Sequence, residues 1–174
     1  METVALALGG NLGDVPAEFL SAIQKMKQQG LMNVSVSSCY VTAPVDCRAG
    51  APDFVNGAVT GQWAGSELEL LSLCKKMESE AGRAEEYERN SDRPLDIDII
   101  FFGDKKYLSS SLTIPHKETA ARLFVLLPLV EIDPNMLHPV LNKTVTELVA
   151  LIDNQNEINS LFDVLIDKTS LDEE

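Results

Sequence analysis

A stretch near the middle of the chain, Arg93 to Phe102, constrains the fold more than any other part of the sequence. It reads Arg-Pro-Leu-Asp-Ile-Asp-Ile-Ile-Phe-Phe, so apolar residues first alternate with aspartates and then run on without a break. Alternation with a period of two, in a segment rich in β-branched and aromatic residues, predicts a β-strand. The continuous apolar end predicts that the strand is buried on both faces. We therefore expect a core strand here, with the other elements organised around it.

The two aspartates of this strand, Asp96 and Asp98, share one face because side chains in a strand repeat every two residues, which places their Cα atoms about 6.6 Å apart. Two carboxylates this close to an apolar run raise each other's pKa and destabilise the fold unless a cation neutralises them. Carboxylates suit Mg²⁺, and no cysteine or histidine stands beside the pair, so it is a candidate magnesium site. The alternative is a pair of carboxylates on a solvent-facing strand end.

The composition argues against several classes of protein. A formal net charge of −13 disfavours nucleic-acid binding, which needs a basic face to neutralise phosphates. No apolar run approaches the ~20 residues of a membrane span, and the N-terminus lacks the basic region of a signal peptide. The three cysteines show no C-x-x-C spacing, which indicates reduced thiols in a cytoplasmic protein and no zinc site. For 174 residues we expect one domain, residues 1–174.

The distribution of charge is more informative than its sum. Residues 153–174 hold seven acidic residues against Lys168 alone, whereas four of the five arginines fall between Arg83 and Arg122. Arginines gathered around a carboxylate pair in an acidic protein favour binding of a metal-bound polyphosphate. The alternative is arginine scattered over an ordinary surface.

The order of the predicted elements indicates an α+β fold, a ferredoxin-like βαββαβ core with helices packed on a mainly antiparallel sheet. C-terminal helical additions follow it, the last of them an amphipathic helix in the acidic extension 153–174, with Ile158, Leu161, Phe162 and Leu165 on its apolar side. Core strands are predicted at 3–8, 33–42, 53–63 and 95–102, core helices at 14–30 and from Ser66, and later helices at 118–127 and after Thr144.

Three features between these elements are candidate binding elements. The turn Gly9-Gly10-Asn11-Leu12-Gly13 precedes a helix and has the composition of a phosphate cradle, although it matches no established phosphate-binding motif. Phe54 and Asn56 share one strand face, an arrangement that suits a flat heterocycle and equally suits an ordinary core. Loops 43–52 and 83–92 are long and polar, so we expect them to be mobile lids that close over a bound ligand.

Five segments occur in the order and at the spacing of a known family. They are Leu8 to Asp14, Pro52 to Asn56, Gly82-Arg83, Arg93 to Ile100 and Ile114-Pro115-His116. Together they resemble 6-hydroxymethyl-7,8-dihydropterin pyrophosphokinase, an enzyme family of folate biosynthesis, over roughly residues 1–150. An Arg-Pro-Leu-Asp-Ile-Asp run followed by Pro-His is a specific combination, and five ordered matches outweigh any single motif.

The resemblance implies transfer of pyrophosphate from ATP, the co-substrate, to the hydroxymethyl group of 6-hydroxymethyl-7,8-dihydropterin, with release of AMP. It also implies a monomer that contacts neither nucleic acid nor membrane. The implied catalytic residues are Arg83, Arg93, Asp96 and Asp98, the last two holding two Mg²⁺ ions. The implied ATP-binding residues are Glu78, Arg83, Arg93, Ile99, Thr113, His116, Lys117 and Arg122. The implied pterin-binding residues are Thr42, Pro44, Val45, Phe54, Asn56, Asp96 and Phe124.

Several positions depart from the family pattern, and two other functional classes stay open. Glu85 stands where a second loop arginine is expected, Asn90-Ser91-Asp92 replaces the usual run before Arg93, and Phe54 replaces a common tyrosine. Glu78 continues an apolar helix row as a carboxylate, which usually marks a solvent-exposed helix end. The rival classes are a different metal-dependent transferase that uses Asp-x-Asp and a non-catalytic ligand-binding module of the same fold.

Overall fold

The structure is a computed structural model that describes residues 1–44, 50–82 and 91–152, and the backbone of 162–164. The helices are α1 (Val15–Gln28), α2 (Glu67–Glu80), α3 (Leu123–Ile132) and α4 (Val145–Leu151), with a 3₁₀ turn at Thr119–Ala121. The longer strands are β1 (Glu2–Gly10), β2 (Met32–Val36), β3 (Cys39–Thr42), β4 (Phe54–Trp63) and β5 (Asp96–Phe102). The short strands are β6 (Tyr107–Leu108), β7 (Thr113–Ile114), β8 (Leu137–His138), β9 (Lys143–Thr144) and β10 (Phe162–Val164).

The main sheet has six strands in the order β10-β3-β4-β1-β5, and β2 also pairs with β4. Every pairing is antiparallel, with β1 lying between β4 and β5. The predicted α+β fold with an antiparallel sheet is confirmed. Because β1 and β5 are neighbours, the turn after β1 lies beside the start of β5, where the two aspartates stand.

β5 is buried on both faces, as its composition predicted. Ile97, Ile99 and Phe102 belong to the core beneath α1 and α2, whereas Ile100 and Phe101 belong to a second core with α3 and α4. The register with β1 shifts at Ile100, because Leu6 pairs with Ile99 and Ala5 with Phe101. This irregularity places Ile99 and Phe102 on one face, although strict alternation would separate them.

The predicted strand 33–42 is wrong in one respect, because the structure divides it into β2 and β3 at Ser37. The Ser37 side chain is fully buried; its Oγ accepts a hydrogen bond from the Ala58 amide at 2.8 Å and donates one to the Ser38 carbonyl at 2.7 Å. These bonds take the place of regular ladder bonds, so the strand breaks and resumes in a new register against β4.

Helix starts agree with the capping signals in the sequence. The Asp14 side chain accepts the Ala17 amide at the start of α1, and Ser66 and Glu69 form the predicted capping box at α2. The helix predicted at 118–127 begins later, at Leu123, after the 3₁₀ turn. None of the helices in the described residues is long and apolar enough to cross a membrane.

The helix predicted in the acidic extension is wrong at Phe162–Val164, which forms the edge strand β10. Phe162 pairs with Val41 and Val164 with Cys39, antiparallel to β3. The exposed edge of β3 offers backbone donors and acceptors to an approaching chain, and pairing with them replaces the local helical pattern. Ile158, Leu161 and Leu165, on which the helix prediction also rested, lie outside the described residues.

Candidate active site

A cavity opens at the end of the sheet where β1, β4 and β5 meet α3. It gathers nine of the predicted site residues, together with five other residues. The predicted residues are Thr42, Phe54, Asn56, Arg93, Asp96, Asp98, His116, Arg122 and Phe124. The added residues are Ala7, Leu8, Gly9, Ala43 and Val125.

A second cavity shares Asp98 and His116 with the first, since both residues line both cavities. It contains the predicted nucleotide residues Ile99, Thr113 and Lys117. Its remaining residues were not predicted as site residues, although Ile97 belongs to the Arg93 to Ile100 motif. These are Leu71, Lys75, Ile97, Ser109, Ser110, Ser111 and Leu112.

Asp98 lies at the junction of the two cavities, and Asp96 lines the first of them. Burial raises the pKa of Asp98 above its ordinary value, and the Asp96 carboxylate raises it further, while His116, Lys75 and Arg93 lower it. The negative charge of Asp96 is neutralised by a direct ion pair, because its Oδ2 lies 2.9 Å from Nη2 of Arg93. The excess negative charge is therefore concentrated on Asp98.

This donor set fits a hard divalent cation shared with a phosphate. No group of three or more histidine, cysteine, aspartate or glutamate residues suited to a metal occurs within residues 1–44, 50–82 and 91–152. Mg²⁺ commonly binds through one or two carboxylates and completes its coordination with water and substrate phosphates. A partly buried carboxylate pair at the meeting point of two cavities satisfies that requirement.

The aromatic residues of the first cavity each lie beside an arginine. The Arg93 guanidinium carbon lies 5.1 Å from the centre of the Phe54 ring, and that of Arg122 lies 5.6 Å from the Phe124 ring. Arg122, which the resemblance assigned to ATP, thus lies in the first cavity. Both rings present a face to a cation, which is a favourable contact and one that a flat ligand can replace.

The buried side-chain amide of Asn56 forms the polar side of the first cavity. Asn56 is 6% exposed, and its Nδ2 donates to Oγ1 of Thr42 at 2.9 Å. Their pairing follows from the sheet, since Tyr40 on β3 is opposite Asn56 on β4 and brings Thr42 alongside. The Asn56 carbonyl oxygen and the loop after Thr42 are then available to read the edge of a ligand.

Glu78 does not lie on a solvent-exposed helix end, and this part of the sequence analysis is wrong. Its side chain is 3% exposed, and its carboxylate accepts hydrogen bonds from the Ile97 amide at 2.8 Å and from Lys75 Nζ at 2.8 Å. Because Ile97 stands between Asp96 and Asp98, Glu78 fixes the strand backbone that carries both carboxylates. Lys75 also connects Glu78 to the second cavity.

Four predicted site residues are not placed in either cavity. Pro44 and Glu78 are described but are absent from the lining of both. Val45 and Arg83 lie outside the described residues, as do most of the two predicted lid loops. The roles assigned to all four stay predictions.

Comparison with known proteins now identifies the family. Residues 5–134 match the profile described as 7,8-dihydro-6-hydroxymethylpterin-pyrophosphokinase (HPPK). The chain belongs to the HPPK family. A relative in Synechocystis, named 2-amino-4-hydroxy-6-hydroxymethyldihydropteridine pyrophosphokinase, is 34% identical over 85% of this chain and 75% of its own length.

Other HPPK relatives are longer proteins. A folate synthesis bifunctional protein of Arabidopsis thaliana is 41% identical over 75% of this chain, yet the match spans 27% of that protein. The chain thus spans about a quarter of the length of this bifunctional relative. The crystal structure of Plasmodium falciparum HPPK-DHPS superposes with a TM-score of 0.64 at 18% identity, covering 86% of this chain and 43% of that one. This likeness supports the HPPK fold.

Proposed function

We propose that this chain transfers the β,γ-pyrophosphoryl group of ATP to the hydroxymethyl oxygen of 6-hydroxymethyl-7,8-dihydropterin, releasing AMP. The observation that carries the proposal is the position of Asp98 and His116, which line both cavities. One cavity holds two aromatic rings and a buried amide, and the other holds a lysine, serines and a threonine. A pterin in the first and a nucleotide in the second would place their reacting groups at Asp96 and Asp98.

The new bond joins the substrate's hydroxymethyl oxygen to the β-phosphorus, and the bond from that phosphorus to the bridging oxygen of AMP breaks. Asp96 and Asp98 would hold Mg²⁺, two ions by the family resemblance, and the metal supplies charge neutralisation on the phosphate oxygens. The side chains of this chain bind and orient both substrates, which is the larger part of catalysis in phosphoryl transfer. The hydroxyl proton passes to solvent.

Arg93 is suited to neutralise phosphate charge at the junction. One of its side-chain donors, Nε, is buried and has no hydrogen-bond partner in the described part of the chain. Nδ1 of His116, which lines both cavities, is likewise buried and unpartnered there. Phosphate oxygens would supply acceptors for Arg93, and we assign both residues to ATP together with Ile99, Thr113 and Lys117. Arg83 would add a second guanidinium, as the resemblance implies.

The pterin would lie between Phe54 and Phe124, with Asn56 and the backbone after Thr42 pairing with its polar edge. A ring bound there replaces the arginines that now lie over both aromatic faces. Arg93 and Arg122 would then be free to turn towards phosphate. Recognition by buried polar groups is selective, because a ring lacking the matching donors leaves Asn56 unpaired.

A single copy of the chain supplies both cavities, which supports the prediction of a monomeric enzyme. We also propose the cytoplasm as its compartment, on the reduced state that the cysteine spacing in the sequence predicts. Sedimentation analysis of the purified chain tests the first point, and a dimer at micromolar concentration would contradict it.

The direct test of the activity is incubation with MgATP and 6-hydroxymethyl-7,8-dihydropterin, followed by chromatography. We expect AMP and the pterin diphosphate in equal amounts, and no product in the presence of EDTA. Formation of ADP would indicate a different transferase, and binding of both ligands without turnover would indicate a binding module.

Replacement of Phe124 tests the pterin site. Phe124→Ala should weaken pterin binding by ~1–3 kcal/mol, because stacking and apolar burial are lost on one side of the ring. Binding of a non-hydrolysable MgATP analogue should be nearly unchanged, and it serves as the internal control in the same titration. Equal losses for both ligands would mean that Phe124 is a core residue.

A further inference from the structure

Asn11, in the glycine-rich turn after β1, is bonded to the segment that carries Arg93. Its Oδ1 accepts the Arg93 amide at 2.8 Å, and its Nδ2 donates to Oδ1 of Asp92 at 2.7 Å. Its own backbone amide donates to the Arg93 carbonyl at 2.9 Å. Asn11 therefore binds both backbone groups of Arg93 and the side chain of the preceding residue.

These contacts require asparagine in one orientation. A backbone N–H can only donate, so the Asn11 oxygen must face Arg93 and its NH₂ group must face Asp92. Aspartate at position 11 would keep the acceptor and place a negative charge against Asp92. Leucine or alanine would keep neither bond.

The neighbouring glycine permits this approach of the two segments. A Cβ atom at Gly10 would overlap the carbonyl oxygen of Pro94, and it would lie 3.0 Å from Cγ1 of Val15. The backbones of the turn and of residues 93–94 thus meet without an intervening side chain. The backbone amide of Asn11 is also engaged, so that this part of the turn does not act as the phosphate cradle considered from the sequence.

Asn11 itself is not placed to touch a ligand. It is 7% exposed and does not line either cavity, whereas Arg93 lines the first. The Arg93 guanidinium makes three contacts. Its Nη1 donates to the Ser91 carbonyl at 3.0 Å, and its Nη2 lies 2.9 Å from Asp96. The guanidinium also lies over the Phe54 ring. A shift of the Arg93 backbone would move all three contacts together.

We propose that Asn11 is a positioning residue for the reaction, which sets the guanidinium of Arg93 beside Asp96 in the first cavity. The inference rests on the proposed function, because it assigns Arg93 to the transferred phosphates. Asn11 acts through Arg93 alone and contacts neither substrate. Displacement of a catalytic group by about 1 Å costs up to ~10²-fold in rate, so a residue outside the cavity has a measurable effect.

The first test is a double-mutant cycle with Arg93. Asn11→Ala should lower kcat by about 10- to 100-fold and change KM for the pterin little, since the truncation leaves the aromatic site intact. In an Arg93→Ala background, measured by single turnover at high enzyme concentration, Asn11→Ala should lower the rate less than threefold. Multiplicative losses in the cycle would show that Asn11 does not act through Arg93, and would overturn the proposal.

The second test exchanges the two partners. Asn11→Asp should lower kcat as much as Asn11→Ala, because two carboxylates then face each other. In the double variant Asn11→Asp with Asp92→Asn, the new amide at position 92 can donate to the new carboxylate at position 11. The value of kcat should then return to within about fivefold of the wild type. Asn135→Ala, at an exposed turn, is the matched control and should have wild-type kcat and melting temperature. Failure of the exchange to restore kcat in a folded double variant would contradict the proposal.

A third measurement distinguishes failure of this proposal from failure of the proposed function. Residue-resolved amide exchange on metal-free protein should show the Arg93 amide at least tenfold less protected in Asn11→Ala than in the wild type, with core strands unchanged. A wild-type chain that releases no AMP refutes the proposed function whatever the exchange result. An active wild type whose Arg93 amide and kcat are both unaffected by Asn11→Ala refutes the positioning role.

Discussion

Asp98→Asn should abolish AMP release while leaving the metal-free fold as stable as the wild type or more stable. The amide cannot supply the anionic ligand that Mg²⁺ requires, and loss of several kcal/mol of charge stabilisation lowers turnover by at least ~10³-fold. The fold does not lose a stabilising ion pair, because Arg93 is paired with Asp96 at 2.9 Å. Thermal melts in EDTA beside an AMP-release assay measure both effects.

The same variant should change how stability depends on pH. The folded-state pKa of Asp98 is raised by burial and by Asp96, so above its ordinary pKa the ionised group destabilises the folded state relative to the unfolded one. This penalty is relieved as the pH falls through the raised pKa, where the folded protein takes up the proton first. In EDTA, the melting-temperature advantage of Asp98→Asn should therefore be largest near pH 7.5 and shrink as the solution is acidified.

Asp104→Asn is the matched control, since this aspartate is exposed in the turn after β5. It should change neither turnover nor the pH dependence of melting. An Asp98→Asn chain that is destabilised and still active would mean that Asp98 is a structural partner of its basic neighbours. That outcome would remove the basis for the metal site.

Glu78→Ala should destabilise the fold by about 2–4 kcal/mol, a large effect for a residue near a helix end. The truncation leaves the buried Ile97 amide without its acceptor, which costs ~1–3 kcal/mol, and opens a cavity behind β5. AMP release by the remaining folded protein should also fall, because Ile97 lies between the two aspartates. Urea denaturation measures the stability loss.

Glu80→Ala is a matched control on the same helix. Glu80 is 38% exposed and pairs with Lys25 at 2.8 Å, and because solvent screens an exposed pair, its loss should change the stability little. Glu78→Gln, which keeps an acceptor for the Ile97 amide, should be less destabilising than Glu78→Ala. Equal stability of the Glu78→Ala and Glu80→Ala chains would show that the contact with Ile97 contributes little.

Local patterns in the sequence were enough to predict the order of the core elements, and the family resemblance named nine residues that line the first cavity. The β5 strand follows from its alternation and composition, and the helix starts follow from capping residues that act within four positions. The family resemblance also implied that Phe54, Asn56, Asp96, Asp98 and Phe124 would lie together, and one cavity contains all five. These signals are local or carried by motifs, so a single sequence displays them.

Contacts between distant segments decided the rest. Asn11 and Arg93 are 82 positions apart, Glu78 and Ile97 are 19 apart, and neither pair has a periodic signature. The edge strand β10 is a further case. Its residues have a helical pattern, yet they pair with the backbone of β3, which is distant in the sequence. The sequence by itself determined the core strands β1, β4 and β5 and the helices α1 and α2. Only the tertiary structure decided which buried polar groups satisfy one another, because that depends on backbone positions that packing of the whole sheet establishes.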